Sequence, residues 1–215
     1  MFSVRVFTFS PLQENTYVLV NEKGEGIVID PGCYEEAERE ALAGFFTQNA
    51  IEPKLLLQTH CHLDHVFGTK WLSETYGLIP HIHSEEEEML QLAPTSGLLW
   101  DLPFDNYTGE LAYLDGDSDL IFGEDRIRVI LVPGHSPGHC CFYVPAQGFV
   151  IGGDALFRDS IGRTDLPGGS YPTLIRSIRE KLFTLPDETV VYPGHGPETL
   201  IGHEKRYNSF MHGGN

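Results

Sequence analysis

The segment Thr59-His60-Cys61-His62-Leu63-Asp64-His65 places three imidazoles and a carboxylate within six residues, directly behind the apolar run Leu55-Leu56-Leu57. Neutral imidazole nitrogens beside a carboxylate oxygen are a ligand mix that a divalent metal such as zinc accepts, at about 2.0–2.2 Å. A polar turn that is merely rich in histidine is the plainer alternative. Asp64 also has a structural use, because an aspartate at a helix start satisfies backbone N–H groups. Cys61 stands among the candidate ligands, but neighbours on extended backbone point to opposite sides, so it reads as a small buried filler.

The elements around this segment can be read from periodicity. Val4 to Phe9, Asn15 to Val20 and Gly26 to Asp30 form an antiparallel opening of three strands, with turns at Ser10-Pro11 and Glu22 to Glu25. Ala37, Ala41, Leu42, Phe45 and Phe46 recur at helical spacing within Tyr34 to Asn49. The strand after Pro53 delivers His60, one helix runs from about Leu63 to Tyr76 with Gly77 as its C-cap, and Ile79 to His83 is a short strand. From Ser84 to Asp115 an acidic helix start, Glu85 to Leu90, leads into an irregular stretch with Pro94, Gly97, Trp100, Pro103, Phe104 and Tyr107, a lid candidate. The run Glu85 to Glu88 suits a helix N-terminus facing water, and His81 and His83 read as structural.

The second half repeats one device. Arg128 to Val132 ends in Pro133-Gly134-His135, Phe149 to Ile151 in Gly152-Gly153-Asp154, and Thr189 to Tyr192 in Pro193-Gly194-His195. Each strand-like run finishes with glycine and then one metal-competent side chain, which is how a chain leaves a buried strand and aims a ligand past the sheet edge. Ser170 caps a covering helix with Leu174, Ile175, Ile178 and Leu182 on its apolar face.

A length of 215 residues, 41% hydrophobic and 21% charged with no linker-like tract, fits one domain spanning 1–215. A formal net charge of −17 argues against nucleic acid as a partner, since phosphates are held by clustered Lys and Arg. No run reaches the ~20 apolar residues of a membrane helix, and the first twenty residues lack an export pattern. The four cysteines show no paired framework, which suits free thiols in a reducing cytoplasm.

Taken together, Asp30-Pro31-Gly32, Thr59 to His65, Pro133 to His139, Gly152-Gly153-Asp154, Gly162-Arg163-Thr164-Asp165 and Pro193 to Pro197 resemble the metallo-β-lactamase-fold hydrolases, in particular their glyoxalase II-like branch. The resemblance implies an α/β fold, an αββα sandwich of two mixed sheets with helices outside. It implies two divalent ions, zinc first, with iron or manganese also compatible with His and Asp ligands. His60, His62 and His135 would hold one ion, Asp64, His65 and His195 the other, and Asp154 would bridge them. Such a pair lowers the pKa of a bridging water, whose hydroxide attacks the substrate carbonyl, with Asp64 able to serve as general base. His139 would support the site through a hydrogen bond. Arg163 is a candidate anchor for a substrate carboxylate, the alternative being a buried ion pair with Asp165 or another acid.

The activity implied is hydrolysis of an acyl thioester of the hydroxyacylglutathione type. Glyoxalase II itself continues into a helical region that holds glutathione, whereas 20 residues follow His195 here, so weak selection for the glutathione part is expected. A mononuclear iron persulfide dioxygenase is the alternative, because that branch also carries a Gly-Arg-Thr-Asp element. A non-catalytic metal scaffold is a third reading. A β-lactamase or nuclease is disfavoured by the missing export signal and the acidic charge.

Overall fold

In the computed structural model, which describes residues 1–212, the chain divides into two compact units, Met1–Tyr113 and a second beginning at Leu114. The first opens with β1 (Ser3–Phe9), β2 (Glu14–Val20) and β3 (Glu25–Ile29), paired antiparallel as their alternation and turns predict. β4 (Glu52–Leu57) and β5 (Pro80–His83) then add in parallel, each after a helical crossover. With β6 (Ala112–Leu114) they make a six-stranded mixed sheet in the order β1-β2-β3-β4-β5-β6. Helix α1 (Glu36–Gln48) starts where the Glu38 carboxylate accepts from the amides of Ser10, Tyr34 and Glu35 at 2.6–2.9 Å. Its apolar stripe, Leu42 and Phe46, packs with Val18, Val28 and Leu56 of the sheet.

The helix expected over Leu63 to Tyr76 is two helices, α2 (Leu63–Val66) and α3 (Thr69–Tyr76). The break falls at Gly68, whose amide donates to Pro31 O at 2.7 Å instead of continuing the helical ladder. A Cβ there would lie 2.3 Å from Cys33 Sγ and 2.9 Å from Pro31 O, so only glycine allows this approach. Gly77 ends α3 in the left-handed conformation, as expected.

The stretch expected to turn irregular from Pro94 is helical through Leu99, as α4 (Glu87–Leu99) after a 3₁₀ turn at Ser84–Glu86. A proline inside a helix removes the donor that its i−4 carbonyl would use. Here that carbonyl is Leu90 O, and Asn106 Nδ2 donates to it at 2.7 Å. The acidic run also departs from expectation, since Glu86 is only 1% exposed. Its Oε2 accepts from Cys61 N at 2.8 Å.

The second unit holds β7 (Asp119–Phe122), β8 (Asp125–Leu131), β9 (Cys140–Val144), β10 (Phe149–Gly153), the short pair β11 (Leu156–Phe157) and β12 (Ser160–Ile161), α5 (Tyr171–Glu180), β13 (Val190–Pro193) and β14 (Thr199–Leu200). Short helices α6 (Ile201–Tyr207) and α7 (Ser209–His212) follow. Its six-stranded sheet runs β14-β13-β10-β9-β8-β7, parallel only between β10 and β13. Leu174 and Ile178 of α5 pack against Ile130, Val150 and Val191 of that sheet. Leu182 belongs to the 3₁₀ turn after α5 rather than to the helix. Among the described residues no helix is long and apolar enough to cross a membrane.

All four cysteines are free and buried, and burial pushes the Cys33 thiol up to about 12. Thiolates are the reactive form, so the native protein should leave a disulfide reagent such as DTNB unreacted at about pH 8 while denaturant releases every thiol; rapid reaction of the folded protein would contradict this packing. Gly68→Ala should lower the chemical-denaturation midpoint by the equivalent of about 1–3 kcal/mol through overpacking, and a midpoint equal to wild type would mean that the Cys33–Gly68 contact is soft.

Candidate metal centre

The unit Met1–Tyr113 supplies His60, His62, Asp64 and His65. β4 ends at Leu57, residues 58–62 form neither strand nor helix, and α2 begins at Leu63, so this connection and a helix start together carry the four side chains. His60, Asp64 and His65 are buried and His62 is partly exposed. The His60 ring lies 4.1 Å from that of His65 and 4.7 Å from that of His62, centroid to centroid. Asp64 Oδ2 is 3.9 Å from His65 Nε2.

Asp30 fixes this arrangement. It sits at φ 50°, just past β3, and its carboxylate accepts from Thr59 N at 2.6 Å and from Thr59 Oγ1 at 2.5 Å. His65 Nδ1 is 3.0 Å from Asp30 Oδ2. Gln58 adds a further clamp: with its oxygen accepting from Thr69 Oγ1 at 2.7 Å, its NH2 lies 3.1 Å from both Asp30 Oδ1 and His65 O. Behind it, burial holds the Glu14 carboxyl well above its ordinary range. Glu14 accepts from Thr16 Oγ1, which accepts in turn from Gly32 N, both at 2.9 Å. A Cβ on Gly32 would stand 2.0 Å from Glu14 Oε2 and 2.7 Å from Asp64 O, which gives the glycine of Asp30-Pro31-Gly32 its steric reason.

Counting protons assigns the tautomers. The Thr59 hydroxyl has one proton and gives it to Asp30, so its 3.0 Å contact with His60 Nδ1 requires the imidazole to donate. His65 Nδ1–H likewise donates to Asp30, and the carboxylate fixes the ring. Both rings therefore present an Nε2 lone pair, the state a metal needs, with the other ring nitrogen tied to an oxygen acceptor.

The unit from Leu114 supplies His135, Asp154 and His195, which follow β8, β10 and β13 as the glycine pattern predicts. Gly134 has φ 133°, and a Cβ on it would lie 2.2 Å from Leu174 N at the start of α5. His135 Nδ1–H donates to Arg163 O at 2.7 Å, which again leaves Nε2 as the lone pair. One oxygen of Asp154, Oδ2, is 3.5 Å from His135 Nε2 and 3.7 Å from His195 Nε2. These separations are too long for hydrogen bonds and suit two ligand atoms on one ion, which at ~2.0–2.2 Å bonds stand roughly 3.3 Å apart in a tetrahedron. Gly162 closes on the pair: a Cβ there would meet Asp154 O at 1.8 Å and His135 Nδ1 at 2.9 Å.

His139 is set apart by the same reasoning. Asp154 N–H donates to its Nε2 at 3.0 Å, so that lone pair is spent holding the backbone of Asp154. Arg163 forms a two-pronged pair with Asp165 at 2.8 and 2.9 Å. The pair is exposed, at 49% and 69%, rather than buried, and it holds the Asp165 carboxyl at about 2. His81 and His83 are local supports, contacting Ile79 O at 2.9 Å and accepting from Glu85 N at 3.3 Å.

Asp159, His203 and Glu204 also gather three donor atoms. The buried Glu204 carboxylate, however, accepts from Thr199 Oγ1, Asn208 Nδ2 and Asp159 N at 2.5–3.1 Å, so this trio clasps α6 to the turn after β11. The sequence assigns no role to Asp30 beyond its motif, none to Gln58 or Glu14, none to Thr59 beyond its place beside the histidines, and to Glu86 only a water-facing helix start. Thr59 and Gln58 abut the histidine segment. Glu86, in the 3₁₀ turn before α4, stands three, four and seven residues before Met89, Leu90 and Ala93, in line with the buried stripe of that helix.

The profile of the metallo-beta-lactamase superfamily matches residues 9–195. The chain belongs to that superfamily. Its fold is accordingly the metallo-β-lactamase fold, α/β with two mixed sheets flanked by helices. The crystal structure of BLEG-1 B3 metallo-beta-lactamase is similar at TM-score 0.90 and 34% identity, over 98% of this chain and 100% of that one. The di-iron-bound form of TTHA1623 is similar at TM-score 0.87 and 37% identity, over 96% and 99%. The hydroxyacylglutathione hydrolase GloC of Haemophilus influenzae is 33% identical over 97% of this chain and 98% of its own.

The tautomers can be checked without any metal. In ¹⁵N–¹H spectra of the apo-protein's imidazoles at about pH 8, above the ordinary histidine pKa, His60, His65 and His135 should each carry the proton on Nδ1. An Nε2–H form at any of them would remove that residue from the ligand set.

Proposed function

We propose that the protein is a dinuclear metal-dependent hydrolase of acyl thioesters. His60, His62 and His135 hold one divalent ion, Asp64, His65 and His195 the other, and Asp154 bridges them. The observation that carries the reading is the directed donor set. Three histidines, across both units, have Nδ1 tied to an oxygen acceptor. Asp154 Oδ2 stands at ligand-to-ligand distance from two imidazole nitrogens. Since the family profile runs through both units, we take residues 1–215 as one catalytic domain.

When bound, the ions supply Lewis acidity and a water-derived nucleophile at neutral pH. The chain's own residues supply aim and proton transfer. Asp30 keeps His65 from rotating, Arg163 O does the same for His135, and His139 holds the backbone at Asp154. Asp64, buried beside His65, is placed to take a proton from the attacking group as general base. Arg163 is engaged with Asp165, so it would meet a substrate carboxylate only by exchanging that partner.

The thioester assignment is supported by GloC, whose match runs through nearly its whole length and whose name specifies a hydroxyacylglutathione substrate. The likeness to BLEG-1 favours β-lactam hydrolysis as a second reading. Metal identity follows the same logic: zinc is the default for this ligand mix, and the di-iron form of TTHA1623 supports iron. The partner is a small molecule, and the net charge of −17 speaks against nucleic acid. We place the protein in the cytoplasm, in keeping with its four free thiols.

Protein loaded with zinc or iron should contain two ions per chain and cleave S-lactoylglutathione in preference to nitrocefin and to glutathione persulfide. Asp154→Ala should lower occupancy at both positions and reduce kcat/KM at least about 100-fold, more than loss of a supporting residue typically costs. Two ions retained with near-normal turnover would refute the bridging role. Turnover of nitrocefin alone would transfer the site to β-lactams, and persulfide oxidation with one iron per chain would transfer it to dioxygenase chemistry.

A further inference from the structure

We propose that Glu86 is a positioning residue for the metal-binding segment, holding the peptide between His60 and His62 in its ligand-bearing conformation. The proposal rests on the reading of those two histidines as ligands. Glu86 belongs to an element that contributes none of them, the 3₁₀ turn Ser84–Glu86 that leads into α4. The His83 ring closes that turn by accepting from Glu85 N at 3.3 Å. Ser84 and Glu85 face outward, and Glu86 turns in to 1% exposure.

Two contacts tie the segment to α4. The Glu86 carboxylate accepts from Cys61 N at 2.8 Å. Cys61 itself is buried in the apolar cluster that Met89, Leu90 and Ala93 form with Leu63, Val66 and Phe67. Residues 58–62 belong to no strand or helix, so the Cys61 amide has no ladder to satisfy it, and a buried amide without an acceptor is costly. The Glu86 oxygen supplies that acceptor and fixes the direction of the amide. The orientation matters because the peptide joining His60 to Cys61 sets the backbone from which both imidazoles project. Their rings stand 88° apart with centroids 4.7 Å from each other. A rotation of that peptide swings both rings at once.

The test compares Glu86→Gln, which keeps an oxygen acceptor at the same reach, with Glu86→Asp, which keeps the charge but withdraws it by about one C–C bond, ~1.5 Å, and with Glu86→Ala. Zinc affinity is measured by competition with a chelator, and exchange of the Cys61 amide by NMR in the apo-proteins. Loss of a supporting partner typically costs 10–100-fold in metal affinity. That loss is expected for Asp and Ala, together with faster Cys61 exchange, while Gln stays within about threefold of wild type. Should Ala fail to fold, the Asp and Gln pair decides alone. Wild-type affinity in Glu86→Asp, or a loss in Gln as large as in Asp, overturns the proposal. If the wild-type chain itself binds no zinc, the assignment of His60 and His62 fails instead, and the Cys61 exchange rates still report whether Glu86 orders the segment.

Discussion

The buried carboxylate of Asp30 is the interaction on which the arrangement of the first unit's metal-competent residues depends. A charge taken out of water costs several kcal/mol unless its lone pairs are met by good donors. Asp30 meets them with the amide and hydroxyl of Thr59, the imidazole of His65 and the amide of Gln58. Gln58 and Thr59 stand at the start of the segment between β4 and α2, and His65 stands within α2 beyond its end. Satisfying one carboxylate therefore requires the segment to fold back so that residues 59 and 65 reach the same point, and His60 and His65 come within 4.1 Å as a consequence. The positive φ of Asp30 and the absent side chain of Gly32 are the local conditions that let β3 deliver the carboxylate there.

The second unit solves the same problem with backbone groups. His135 is tied to a peptide carbonyl, Asp154 to an imidazole through its own amide, and Gly134 and Gly162 lie where a Cβ would collide with neighbouring backbone. Where the first unit spends buried side-chain charge on orientation, the second spends close packing. Alanine at Gly134 or Gly162 would thus disturb His135 and Asp154 by a steric route, as loss of Asp30 would disturb Thr59 and His65 by an electrostatic one.

What could be read in the sequence follows from this division. Strands announced by alternation or by glycine-terminated apolar runs appear where the sequence puts them: β8 alternates over part of its length, whereas β10 is buried throughout and β2 nearly so, as strands covered on both faces are. The metal-competent residues were legible because their types and spacing are rare outside metal sites. What stayed hidden depends on contacts remote in sequence. The break at Gly68 is caused by Pro31, and Pro94 is tolerated because Asn106 reaches Leu90 O. Glu86 reads as one more exposed acid until the buried stripe of α4 is extended one turn backward through the 3₁₀ segment. Arg163 has the chemistry of a carboxylate anchor, and only coordinates could reveal that Asp165 already occupies it.

The partners of the three imidazoles also differ in a way that bears on chemistry. His65 gives its Nδ1 proton to a carboxylate, His60 to a hydroxyl polarised by that same carboxylate, and His135 to a peptide carbonyl. An anionic acceptor raises the basicity of the opposite ring nitrogen more than a neutral one does, so Nε2 of His65 is the most electron-rich of the three and that of His135 the least. On the proposed assignment His65 would act beside Asp64, whose carboxylate would offset part of the charge at their position. His60 and His135 would act with neutral His62, which would leave more uncompensated positive charge at theirs. On that assignment the difference between the two positions would arise from the ligands, Asp64 against His62, and the acceptors behind the histidines would reinforce it.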